Sequence, residues 1–181
     1  MNFSDLIKHR QSVRKYLDKP IEKEKLDQLI EAVRLAPSAS NSQPWKLIIV
    51  DQPELKNDVA KATYNTLIRF NKFAPQAPVI AVFCLEEPKL ITRIGASLQQ
   101  TEYPLIDIGI AASHFCLQAE ELGLGTCMIG WFDEEKVKQL LHIPEKTKVA
   151  LLVTVGYPPE DYPLRSKQRK KREEMSSFNS Y

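Results

Sequence analysis

The chain has 181 residues, of which 43% are hydrophobic and 27% charged, with a formal net charge of +2. That length supports one domain with a real core. No apolar run reaches the ~18 residues of a membrane span, and so small a net charge does not call for a nucleic-acid partner. Met1-Asn2-Phe3-Ser4-Asp5 reads as the start of a helix and not as a signal peptide, so a cytoplasmic location is the default. Cys84, Cys116 and Cys127 sit in apolar surroundings without zinc or disulfide spacing, which predicts buried free thiols and no metal site.

Phe3, Leu6 and Ile7 recur at helical spacing and predict a short helix to about His9. Arg10-Gln11-Ser12-Val13-Arg14 follows. In an extended segment Arg10, Ser12 and Arg14 share one side. Two guanidinium groups and a hydroxyl can clamp a phosphate monoester there; a solvated basic turn is the plain alternative. Lys19-Pro20 breaks the chain, and Leu26, Leu29, Ile30 and Val33 then mark an amphipathic helix over 22–35. Its first turn carries Glu22 and Glu24, which match the helix dipole.

The stretch Ala36-Pro37-Ser38-Ala39-Ser40-Asn41-Ser42-Gln43-Pro44-Trp45 joins that helix to a strand at 46–51. Pro37 and Pro44 stiffen it, and Ser38, Ser40, Asn41 and Gln43 can present donors and acceptors to a flat heteroaromatic ligand. A Ser/Pro-rich connection is the alternative. A helical region is expected over 54–71, ending in Arg69-Phe70-Asn71-Lys72. Val79–Cys84 is continuously apolar and predicts a buried central strand. Residues 86–103 lack periodicity and read as a surface excursion, a candidate lid.

From Pro104 to Leu122 the helical pattern is apolar on nearly every side, as for a buried helix or a subunit interface. His114 within it reads as a packing residue, since no nucleophile pairs with it in a known pattern. Gly123-Leu124-Gly125 ends the helix, and a short strand closes on Gly130, where backbone can approach a ligand. Asp133 caps a helix carrying Val137, Leu140 and Leu141, and Val149–Gly156 is the last internal strand. Arg165, Lys167, Arg169, Lys170, Lys171 and Arg172 crowd the tail. Its closing aromatics, Phe178 and Tyr181, predict that the tail docks.

Taken together, the ordered set resembles the FMN-dependent nitroreductase family. The set is Arg10-x-Ser12-x-Arg14, the 36–45 loop, Asp107-x-Gly109-x-Ala111, Gly123-Leu124-Gly125-Thr126-Cys127 with Gly130, Gly156-Tyr157-Pro158, and Lys167-x-Arg169. The resemblance implies an α+β fold over 1–181 as a single domain. Its three layers are a central mixed, largely antiparallel sheet flanked by helices, with the C-terminal tail exchanged in an intertwined homodimer. It further implies FMN at the subunit interface and NADH or NADPH as electron donor.

Residue by residue, Arg10, Gln11, Ser12 and Arg14 match a phosphate- and ribityl-binding segment, and Lys167 and Arg169 complete the phosphate site. Pro37, Ser38, Ser40, Asn41 and Gln43 match a loop that lies against the flavin from the other subunit. Asn71, with Lys72 a second candidate, matches an asparagine near the pyrimidine edge, and Gly130 a glycine whose backbone N–H approaches flavin N5. Many relatives carry an acidic residue before that glycine; here it is Ile129. No catalytic side chain is expected, because the flavin carries the hydride in a ping-pong cycle toward a nitroaromatic, a quinone or a related small electrophile. The alternatives are another reaction on the same fold (dehalogenation or flavin breakdown) and a flavin-binding protein without turnover. A nucleic-acid-binding tail, with salt-dependent affinity, is the third.

Overall fold

The computed structural model describes residues 1–86 and 102–181. Four strands form the sheet: β1 (Trp45–Val50), β2 (Val79–Leu85), β3 (Gly125–Ile129) and β4 (Lys148–Gly156). Their order is β1-β2-β4-β3, and every neighbouring pair is antiparallel. The parallel component is one isolated bridge, Ser12 to Thr126, outside the named strands.

β2 is central, as its unbroken apolar run predicts. Its side chains alternate between two cores, one on each face of the sheet. Ala81 and Phe83, with Val153 and Val155 of β4, pack against Leu29 and Val33 of α2 (Lys23–Arg34). The same core takes Ala111, Ala112, Phe115 and Ala119 of the helix Tyr103–Glu121. Phe83 and Phe115 meet edge to face, with ring centroids 5.9 Å apart. On the opposite face, Ile80, Val82, Cys84 and Leu152 pack on Val59 and Ala60 of α3 (Pro53–Lys61) and on Val137 of the helix Glu134–Leu141. The layers are helix, sheet, helix. Numbered in chain order, the helices begin with α1 (Phe3–His9), so Tyr103–Glu121 is α4, Glu134–Leu141 is α5 and the short tail turn Arg172–Met175 is α6.

Local signals set several boundaries. The Asn2 side chain accepts the Asp5 N–H at 2.9 Å and starts α1. Asp133 does the same for α5, accepting the Lys136 N–H at 3.1 Å. All three cysteines are free and buried, and burial pushes the Cys84 and Cys116 thiols up to about 11.

One expectation needs correction. The helix expected over 54–71 ends at Lys61. Beyond it, side chains take over backbone partners: the Thr63 hydroxyl donates to the Ala60 carbonyl at 2.7 Å. Asn65 Oδ1 accepts the N–H groups of Leu67 and Ile68 at 2.8 and 2.7 Å. Such local bonds offer the chain an alternative to helix. The tail, in turn, docks on its own chain through Tyr162 to Lys167, whereas Phe178 and Tyr181 are exposed. The excursion expected over 86–103 falls outside the described residues except at its ends, where α4 begins at Tyr103.

Gly125 is required where α4 gives way to β3. A Cβ there would meet Val13 Cγ2 at 2.6 Å and Val13 Cβ at 2.8 Å, because Val13 packs flat on the start of β3. Gly125→Ala should destabilise the fold by about 1–3 kcal/mol. The measurement is the urea midpoint with an unchanged slope; an unshifted midpoint would mean that Val13 moves aside freely.

Candidate functional site

The site is built on residues 10–14, which leave α1 extended along the outer edge of β3. The Val13 N–H donates to the Thr126 carbonyl at 2.8 Å, beside the parallel Ser12–Thr126 bridge. Val13 is buried in the core. Strand alternation then turns Arg10, Ser12 and Arg14 to the other side, as their spacing predicts. Tyr16 locks the end of the segment: its hydroxyl donates to the Val13 carbonyl at 2.8 Å and lies 2.8 Å from Thr154 Oγ1. Burial pushes the Tyr16 phenol well above its ordinary range, so it stays protonated as a donor.

The C-terminal segment returns to the same place. The Arg14 N–H donates to the Tyr162 hydroxyl at 3.0 Å. Gln11 holds the tail from both ends of its amide: Nε2 donates to the Pro163 carbonyl at 3.0 Å, and Oε1 accepts the Arg165 N–H at 3.1 Å. The Arg165 guanidinium donates to the Ser12 carbonyl, and the Lys167 ammonium to the Arg10 carbonyl. Arg10, Gln11, Ser12 and Arg14 with residues 165–169 thus line one cleft of about 350 Å³.

The cleft is electrostatically unfinished. Five cations line it: Arg10, Arg14, Arg165, Lys167 and Arg169. Among the described residues none of them forms an ion pair. Desolvation, followed by the neighbouring Arg10 and Arg169 charges, holds the Lys167 ammonium below the usual lysine range. The Glu120 carboxyl, itself pushed up by burial, feels His9, Lys167 and Arg10 without reaching ion-pair distance. A phosphate monoester, with about two negative charges and three acceptor oxygens, has the charge and shape for this cleft.

β3 leads from the cleft to the second group of residues, about 13 Å away from Thr126 to Gly130 at strand rise. Ile129 is buried in the core, so at this end of β3 only its backbone faces outward. Gly130 is exposed. Among the described residues a Cβ on it would meet nothing within 4 Å, and its φ is not in the left-handed region. Neither packing on the described residues nor backbone conformation demands glycine there. Asn71 is buried and its Nδ2 donates to the carbonyls of Thr63 at 3.0 Å and Trp131 at 3.3 Å. Asn71 therefore braces the backbone just past Gly130. The Arg14 guanidinium lies 6.0 Å from the Phe73 ring centroid, which joins the Asn71 segment to the cleft. Lys72 is exposed.

The 36–45 loop is a rigid, wound element. Ser40, Asn41 and Gln43 all take positive φ, near 50°, a conformation costly for residues other than glycine. Internal bonds hold it: the Gln43 N–H donates to Ser38 Oγ at 2.9 Å, and Gln43 Nε2 donates to Asn41 Oδ1 at 3.0 Å. A cross-element tie runs from the Ala39 N–H to Asp107 Oδ1 of α4 at 3.0 Å, and at the strand end the Glu86 N–H donates to the Pro44 carbonyl at 3.1 Å. No hydrogen bond among the described residues joins the loop to the cleft.

The chain thus brings Arg10, Gln11, Ser12, Arg14, Lys167 and Arg169 together and links them to Asn71, Ile129 and Gly130. It keeps Pro37, Ser38, Ser40, Asn41 and Gln43 apart, on a separate loop. Sequence reasoning placed Arg165 in the basic run without a role, and it did not single out Tyr162. A lone tyrosine in a polar tail carries no local signal of its contact with residue 14.

Comparisons with known proteins identify the family and the fold. The model of the nitroreductase family matches residues 7–157. FMN reductase (NAD(P)H) of Bacillus subtilis is 32% identical over 167 residues, which cover 86% of this chain and 65% of that protein. The crystal structure of a nitroreductase family protein from Clostridium novyi NT superimposes with a TM-score of 0.75 at 32% identity, covering 88% of this chain and 87% of that one. The FMN-dependent nitroreductase of Clostridium difficile R20291 covers 97% of this chain and 98% of its own, with a TM-score of 0.74 at 28% identity. With a matched model running through every strand of the sheet, the chain belongs to the nitroreductase family.

Proposed function

We propose that the basic cleft and the Gly130 edge hold FMN, and that the protein is an NAD(P)H-dependent FMN oxidoreductase that reduces a small electrophile, a nitroaromatic or a quinone, in a ping-pong cycle. One observation carries the reading: five cations converge on a cleft with no ion-pair partner among the described residues, in a member of the nitroreductase family. FMN bound there supplies hydride chemistry at N5 that no side chain of this protein offers.

The protein's own groups bind and orient. Arg10, Arg14, Lys167 and Arg169 neutralise the phosphate, and the Ser12 hydroxyl adds a donor. Gln11 acts one step back, by holding the tail that carries Lys167 and Arg169. The bare backbone of Ile129 and Gly130 offers an N–H at the ring edge, and Asn71 fixes that backbone through the Trp131 carbonyl. Arg165 and Lys167 direct donors to the Ser12 and Arg10 carbonyls, inward on the fold. That arrangement favours a small-ligand cleft over a nucleic-acid arm.

A homodimer completes the same reading. In this reading the loop with Pro37, Ser38, Ser40, Asn41 and Gln43 serves the cleft of a second copy, which suits its separation from its own chain's cleft among the described residues. Phe3 and Ile7 of α1 and Ile106 of α4 are exposed apolar side chains available for burial between copies. The whole of 1–181 acts as one domain in this arrangement. Among the described residues no helix is long and apolar enough to cross a membrane. Three buried free cysteines fit a reducing, cytoplasmic compartment.

The decisive test is an absorbance spectrum after FMN is added and the excess removed, followed by anaerobic NADH or NADPH. Flavin bands that co-elute and then bleach are expected; well-folded protein that retains no flavin would overturn the cofactor assignment. Arg14→Ala should weaken FMN binding by roughly 1.5–3 kcal/mol, the worth of a charge-assisted contact. Quenching of flavin fluorescence measures it, and an unchanged dissociation constant would remove Arg14 from the site. Truncation after Pro158 should reduce both flavin content and dimer, read by light scattering with absorbance; a fully flavinated dimer lacking the tail would exclude the docking role.

A further inference from the structure

Asp107 is the chain's least explained charged group. It lies 3% exposed on α4, a helix that otherwise buries Ile108, Ala111, Ala112 and Phe115. A carboxylate in such surroundings is costly unless its oxygens find donors. Oδ1 accepts the Ala39 N–H at 3.0 Å. Oδ2 is buried without a hydrogen-bond partner among the described residues. The flanking helix positions need no charge to pack, so the carboxylate must serve the group it touches.

That group is the 36–45 loop. Ala39 opens a 3-10 turn, Ala39–Asn41, and a turn of this kind leaves its first N–H without a partner inside itself. The donors further along are satisfied within the loop: Asn41 N–H by the Ser38 carbonyl at 3.0 Å, Ser42 N–H by the Ala39 carbonyl at 3.0 Å, and Gln43 N–H by Ser38 Oγ at 2.9 Å. Internal bonds set the loop's shape. They do not set its position against α4; at its far end the Glu86 N–H holds the Pro44 carbonyl at 3.1 Å. The loop also holds three non-glycine residues at positive φ, a conformation that survives only if the surroundings over-determine it. We propose that Asp107 is a positioning residue: its carboxylate anchors the loop's first N–H to α4 and so fixes the polar side chains of Ser38, Ser40, Asn41 and Gln43 at the height where they meet the flavin. The inference rests on the assignment of the loop to the FMN site.

The two conservative variants separate the anchor from packing. Asp107→Asn keeps an oxygen for the Ala39 N–H and removes only the charge. Asp107→Ala removes the acceptor. Hydrogen exchange of the Ala39 amide in the apoprotein is read first, because it needs no flavin. Protection should fall at least roughly tenfold in Asp107→Ala and return to near the native level in Asp107→Asn. FMN affinity should follow the same order, weakened roughly tenfold in Asp107→Ala and mostly recovered in Asp107→Asn. Unchanged Ala39 protection in a folded Asp107→Ala protein overturns the anchor. Lost protection with unchanged FMN affinity overturns the positioning role. Equal impairment of both variants, with or without folding, overturns a role based on the acceptor oxygen. Arg14→Ala, measured in parallel, separates failures: if it too leaves FMN affinity unchanged, the flavin-site assignment falls, whereas an effect of Arg14→Ala alone removes only Asp107.

Discussion

The contact on which the site depends is the seating of Val13 on the start of β3. The Val13 N–H bonds the Thr126 carbonyl, and its side chain fills the space that a Cβ on Gly125 would take. This one anchor makes residues 10–14 extended rather than helical or free. The extended backbone, in turn, sorts side chains by parity: Val13 inward, Arg10, Ser12 and Arg14 outward. The cationic face of the cleft is therefore a consequence of hydrophobic burial on its reverse. The energy that holds two guanidinium groups near each other comes from Val13 and Tyr16 in the core, not from any attraction within the site.

The tail completes the cleft by a different kind of bond. Arg165 and Lys167 give donors to backbone carbonyls of the segment they face, and Gln11 bridges both directions. Carbonyl acceptors tolerate a cation without cancelling it, so the charge of the cleft remains available to a ligand. Desolvation first, and then the neighbouring Arg10 and Arg169 charges, hold the Lys167 ammonium below the usual lysine range.

The two halves of the site follow different physical rules. In the proposed flavin site the phosphate end relies on the net charge of several cations. The proposed ring end relies on backbone. Ile129 buries its side chain, Gly130 has none, and Asn71 directs its amide to the Trp131 carbonyl, so what faces outward is the peptide itself. Backbone donors keep their place under electron transfer better than long side chains, because their position is fixed by the sheet.

Read alone, the sequence yields the local pieces: the central strand Val79–Cys84, the Asp133 cap, the alternation of Arg10, Ser12 and Arg14, and the proline-stiffened, polar character of the 36–45 loop. These are short-range consequences of side-chain period and of proline, serine and asparagine preferences. It misjudged α3, because the competition of Thr63 and Asn65 for backbone partners outweighs an apolar pattern that continues past Lys61. Only the tertiary structure decided that Gln11 grips the tail, that Tyr162 receives the Arg14 N–H, that Asn71 braces Trp131 and that Asp107 holds Ala39. Each of these joins residues separated by about 60 to 150 positions. Such pairings leave no periodic trace, since they are set by how the layers stack and by the need of each buried polar group to find a partner.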